Sequence, residues 1–241
     1  MEIEKHRNLY ASGALGIAIV LSTIIGAWTH YSVRALDFAL SVTGSAKQQV
    51  TSDQAKWVTT TSRTTRESQV KAGYQQMSQD LAIVKKFFKA EGIDEKDLTI
   101  SPIFMDQVYK QNDGGEKEFS LRQTIEYNST DVAKVTAMSK LVSNIIDQGV
   151  LISTQSLEYS YSKLAELRVS LLSNAVKDAK ERAQSIAKET GRGVGALRSA
   201  ASGVVQVLPL NSVDVSDYGM YDTGSIEKVV MVTVKASFAV K

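Results

Sequence analysis

Residues 162–191, SKLAELRVSLLSNAVKDAKERAQSIAKETG, constrain the fold more than any other stretch. Apolar side chains recur at Leu164, Leu167, Leu171, Ala175, Ala179, Ala183, Ile186 and Ala187, in steps of three and four that place them on one helix face. Glu166, Lys177, Asp178, Lys180, Glu181 and Lys188 fall on the opposite side. No Pro or Gly interrupts the run, and Gly191 stands where a helix end needs a left-handed residue. The seam begins with leucines and ends with alanines, so the later turns can bring the helix backbone close to a sheet. A helix near 163–190, lying across a sheet built from the other segments, is the expected centre of the fold.

From Asn8 to Thr29 there is no Asp, Glu, Lys or Arg. About 20 apolar residues in a helix cross a hydrocarbon core of roughly 30 Å. Lys5 and Arg7 precede the run, and Trp28 and Tyr31 sit at its far end like interfacial anchors. Residues 8–31 are therefore expected to be a transmembrane anchor, with 1–7 cytoplasmic and the body translocated; Arg34 weakens the charge bias. The run is longer than a signal-peptide core. Its best cleavage candidate, Val33-Arg34-Ala35, has a bulky first residue and a charge in the middle. These features favour an uncleaved anchor over a removed signal. Ala14, Ala18, Ser22 and Gly26 recur every four residues, and such a strip of small residues lets membrane helices pack together. Small residues are also common in any anchor core.

Composition narrows the chemistry. Cysteine is absent, which excludes disulfides, thiolate metal sites and cysteine nucleophiles. Histidine occurs only as His6 and His30, so no Ser-His-Asp triad, His-bound zinc or imidazole acid–base step can be built in the body. Net charge is +2 and the basic residues are interleaved with acids, which argues against nucleic acid as a partner. No cofactor and no metal is expected.

The body alternates strand and helix signals. Phe38 to Gly44 reads as a strand with Phe38, Leu40 and Val42 on one face. Asp53 to Thr65 is β-branched but mostly polar, so it reads as a long, weakly buried strand, an edge or one that pairs with another subunit. A helix near 67–91 carries Val70, Tyr74, Met77, Leu81, Val84 and Phe88, and packing on its own sheet is preferred to a coiled coil. Strands over 98–110 and 118–128 flank the turn signal Asn112-Asp-Gly-Gly115, and Pro102 implies an edge or bulge in the first. A helix near 131–148, strands at 151–161 and 204–208, and a strand over 227–241 complete the pattern. In the last, Val230, Val232, Val234, Ala236, Phe238 and Val240 form an unbroken apolar face, which suggests a central position.

Several motifs bear on chemistry. Ser68-Gln-Val-Lys71 and Ser160-Tyr-Ser-Lys163 match S-x-x-K, but the companion motifs of Ser/Lys acyl enzymes are missing. Gly191-Arg-Gly193-Val-Gly195 resembles a phosphate loop yet follows a helix instead of leading into one, so it reads as a C-cap and turn. Residues 209–225 form a long loop of the kind that carries function. Its Asp214, Asp217 and Asp222 lack the spacing of a dedicated calcium loop. Together with Tyr218 and Tyr221 they are the candidate partner or interface residues.

Taken in order, Val42-Thr-Gly-Ser-Ala46, Ser52-Asp53-Gln-Ala55, Gly92-Ile93 with Asp97-Leu98, and Ala175-Val-Lys-Asp178-Ala179 with Ala183, Ile186-Ala187 and Gly191 resemble the SIMPL-domain family of bacterial cell-envelope proteins. One departure is Ser52, where the family commonly has Pro before the Asp. The resemblance implies an α+β fold over 36–241, with mixed or antiparallel sheet and three amphipathic helices behind the single N-terminal transmembrane helix. It further implies an envelope location, assembly into large homo-oligomeric rings or cages and a link to oxidative-stress tolerance, and it supplies no catalytic residues. The expected function is thus a non-enzymatic, single-pass protein of the bacterial inner membrane. Its N-terminus would be cytoplasmic and its body periplasmic, and its partners would be copies of itself and the lipid bilayer. The alternative is a periplasmic ligand- or partner-binding module that uses the 209–225 loop.

Overall fold

The threonine-rich segment Gln54–Arg66 is strand β2, and it occupies the middle of a sheet. It pairs antiparallel with β5 (Glu118–Ser129) on one side and with β6 (Ile152–Ser160) on the other. The expectation of an edge strand or an intersubunit strand at 53–65 is corrected by this. Thr59 and Thr61 are fully buried, and their hydroxyls donate to the carbonyls of Ile125 and Gln123, each at 3.3 Å. A threonine bonded in this way presents its methyl group to the core and leaves no polar group unpaired.

The computed structural model describes residues 2–35, 39–109, 115–212 and 216–241. The chain divides into two compact units, one from residues 47–170 and 204–231, the other from the described residues up to 46 with 171–203 and 232–241.

In the first unit the strand order is β3 (Leu98–Ile100), β5, β2, β6, and β4 (Phe104–Val108) also pairs with β5. The break between β3 and β4 contains Pro102, as expected for a residue without a backbone donor. Of the turn Asn112–Gly115, residues 112–114 lie outside the described residues. Helix α2 (Val70–Ala90) packs on the sheet through Met77, Val84 and Phe88. Phe88 meets Trp57 at 5.5 Å and Tyr127 at 6.0 Å between ring centroids. Arg63 of β2 clamps the buried Asp80 of α2 with two bonds of 2.7 and 2.8 Å, and donates a third, of 2.6 Å, to the carbonyl of Gly149. The single helix expected near 131–148 is two, α3 (Val132–Ser139) and α4 (Ser143–Ile146). The amides of Lys140 and Leu141 bond three residues back, tightening the chain into a turn that still delivers Ile145 to the core.

The last strand of this unit begins β9 (Glu227–Val240), whose residues 228–231 pair with β8 (Gln206–Pro209). In the second unit the strand order is β1 (Ala39–Thr51), β9, β7 (Val194–Ser202), so β9 is central as its apolar face implied. Helix α5 (Leu164–Glu189) contributes Ala175, Ala179 and Ala183, all fully buried, to a core with Val42, Val234, Ala236 and Phe238. The close approach expected from the alanine seam is present at Gly44. A Cβ there would lie 2.2 Å from the Ala175 carbonyl oxygen and 2.4 Å from the Ala179 nitrogen. Gly191 has φ of 68°, and the Arg192 amide bonds back to the Ala187 carbonyl at 2.9 Å, which makes Gly191 the helix cap, while Gly195 already lies in β7.

Helix α1 (Glu2–Ala35) covers the expected anchor. Among the described residues no helix is long and apolar enough to cross a membrane.

Candidate functional site

The loop that follows β8 is fastened by two buried polar side chains. Gln206 donates to the carbonyl of Ser216 at 2.5 Å and accepts from the Met220 amide at 2.8 Å. Lys228, only 1% exposed, donates to the Asp222 carbonyl at 2.6 Å and to its carboxylate at 3.3 Å. The backbone adds a short parallel bridge between Val207 and Tyr221. Asp222 also accepts from the Gly224 amide at 2.9 Å and from the Ser225 hydroxyl. Burial pushes the Asp222 carboxyl up, but the bonds from Ser225, Gly224 and Lys228 outweigh it and hold the group below the ordinary carboxylate value.

This arrangement assigns the expected loop residues different places. Asp222 is a structural acceptor facing inward. Asp217 is exposed, Tyr218 is 97% exposed at the tip, and Tyr221 is 53% exposed. Asp214 lies outside the described residues. No metal-ligating group of three His, Cys, Asp or Glu forms among the described residues. On α1, Ala18, Ser22 and Gly26 are exposed, and the Ser22 hydroxyl donates to the Ile19 carbonyl at 2.9 Å; the side chain of Ala14 lies outside the described residues.

Tyr221 and Thr223 form one wall of a groove of about 500 Å³. Its other walls are Gln54 and Lys56 of β2, Asn128 to Thr130 at the end of β5, and Glu158 to Ser160 of β6. Alternation along three registered strands brings these side chains together: Lys56 lies opposite both Asn128 and Glu158. Lys56 pairs with Glu126 at 3.1 Å. Bonds from Asn128 and then Lys56 hold the Glu126 carboxyl below its ordinary value. Next to Gln54 in the chain, Asp53 accepts from both the amide and the hydroxyl of Ser162, at 2.7 and 2.5 Å, fixing the entry to α5. Burial raises the Asp53 carboxyl, the Ser162 bonds lower it more, and the net direction is down.

Both serines of the S-x-x-K pairs bond to groups other than the lysine. The Ser160 hydroxyl donates to Gln54 at 3.2 Å, and the Ser68 amide donates to Glu116 at 2.5 Å. The groove residues Gln54, Lys56, Asn128 and Glu158 escaped sequence reading. Each is an ordinary outward polar position, and only strand register joins them.

Comparison with known proteins adds a family. The family model SIMPL, described as a protein of unknown function (DUF541), matches residues 40–238. No curated protein matches the chain.

Proposed function

The chain belongs to the SIMPL family, and on that premise we propose that it is a non-enzymatic envelope protein, held in a bilayer by α1 and assembled with copies of itself through its body. One observation carries the reading. The large apolar residues from Leu15 to Trp28 are between 54% and 72% exposed on every side of α1, with no charged residue from Asn8 to Thr29. A helix apolar all round needs an apolar surrounding. By sequence the charge-free run from Asn8 to Thr29 is 22 residues, about 33 Å as a helix against a hydrocarbon core of roughly 30 Å. Self-assembly is supported by β7, which among the described residues pairs on one side only and is exposed along most of its length.

The test has two parts. Membranes from cells producing the full chain are washed with alkaline carbonate, and the mass of the detergent-solubilised particle is measured by light scattering. Retention in the membrane and a mass of several chains are expected. Release by carbonate removes the anchor, and a monomer at micromolar concentration removes the assembly.

A second reading, a binding module that uses the 209–225 loop, is favoured by one feature: the loop supplies Tyr221 and Thr223 to the groove.

A further inference from the structure

The lining of the groove selects among ligands by chemistry, and we infer that it binds a neutral polyhydroxylated ligand, a saccharide chain. This rests on the second reading and names its ligand class.

Charge comes first. The lining holds one cation, Lys56, and one anion, Glu158, and Lys56 is already neutralised by Glu126 at 3.1 Å. With Lys56 paired to Glu126, the lining is left with the single negative charge of Glu158, which disfavours a phosphate-rich ligand and is too little to gather a polycationic one. Apolar surface comes second. Ala55 and Tyr159 are buried, so Tyr221 is the one large exposed ring in the lining, and the rest of its apolar surface is the stems and methyls of polar side chains. An acyl chain would find too little to bury itself against. Peptide addition comes third. The outer edge of β6 is closed at this point, because the Tyr159 amide donates to the Thr223 carbonyl at 2.7 Å. A strand laid along β6 would have to displace that bond.

What remains is a mixed set of hydrogen-bonding ends. Ser160 occupies the amide oxygen of Gln54, which leaves its Nε2 to donate. Asn128 donates its Nδ2 to Glu126 at 2.8 Å, which leaves its Oδ1 to accept. Glu158 accepts, while the hydroxyls of Thr130 and Thr223 do either. A ligand that is donor and acceptor at every position, as a chain of hydroxyls is, satisfies this set. Tyr221 is held from both neighbours: the Val207 amide donates to the Met220 carbonyl at 2.7 Å, and the Asp222 amide to the Val207 carbonyl at 2.9 Å. The ring is thereby presented on fixed backbone as a flat surface for the C–H face of a pyranose.

Isothermal titration of the full-length chain in detergent, with chitotetraose, maltotetraose and a glycine-serine tetrapeptide as probes, tests the inference. At least one saccharide is expected to bind with Kd of about 1 mM or tighter, and Tyr221→Ala and Glu158→Gln are each expected to weaken it roughly tenfold. Both variants should keep the parent melting temperature, and Thr64→Ser, on the same strand outside the groove, should leave binding unchanged. Saccharide binding that survives both variants overturns the site. Peptide binding that both variants abolish, with no saccharide bound, overturns the ligand class and leaves the second reading standing. No binding of any probe overturns both.

Discussion

Gly44 has its backbone pressed against helix α5, and the contact leaves no room for a methyl group. Gly44→Ala would set a carbon 2.2 Å from a carbonyl oxygen and 2.4 Å from an amide nitrogen, both of them backbone atoms of α5 that cannot rotate away. We expect a loss of about 3 kcal/mol or more, read from urea unfolding. Asp222 gives a pH prediction. Its carboxyl is held below the ordinary value of 3.8 in the folded state. The stability it contributes is therefore present above pH 3.8 and is lost as pH falls through the lower folded-state value. Asp222→Asn should lower stability at neutral pH and flatten the acid limb of the melting-temperature profile. An unchanged acid limb would show that the carboxylate is not held by Lys228 and its neighbours.

Strand β2 shows how an element can mislead when it is read by letter. Its threonines look like a solvated surface, yet Thr59 and Thr61 are core residues whose hydroxyls are satisfied by β5. Thr59→Val should change stability by less than about 1.5 kcal/mol, whereas Arg63→Met leaves the buried Asp80 unpaired and should cost about 3 kcal/mol. Denaturant melts of the two variants compare them directly. Periodicity made the amphipathic elements legible: α2, α5 and β9 lie where their apolar residues recur, and Gly92, Gly149 and Gly191 all have positive φ at the ends of helical segments. It failed for β7, whose GALRSAAS is small and exposed without alternation, and for the break at 140–142, which no Pro or Gly announces.

At the scale of the whole molecule, neither core cluster contains a residue of α1 among the described residues. A chain lacking residues 2–31 should therefore keep a melting temperature within about 3 °C of the parent, measured by circular dichroism, while losing its membrane fraction. A large drop in melting temperature would mean that α1 packs on the body.

Patterning along the chain was enough to determine the α+β class, the apolar N-terminal helix, the alanine seam and the family. These depend on the order and spacing of residues along one segment, and a helix or strand face is a property of one segment. The central place of β2, the division into two units and the groove were decided only by tertiary structure. Each depends on register between strands distant in sequence. Lys56, Asn128 and Glu158 are unremarkable until hydrogen-bonded pairing sets them side by side.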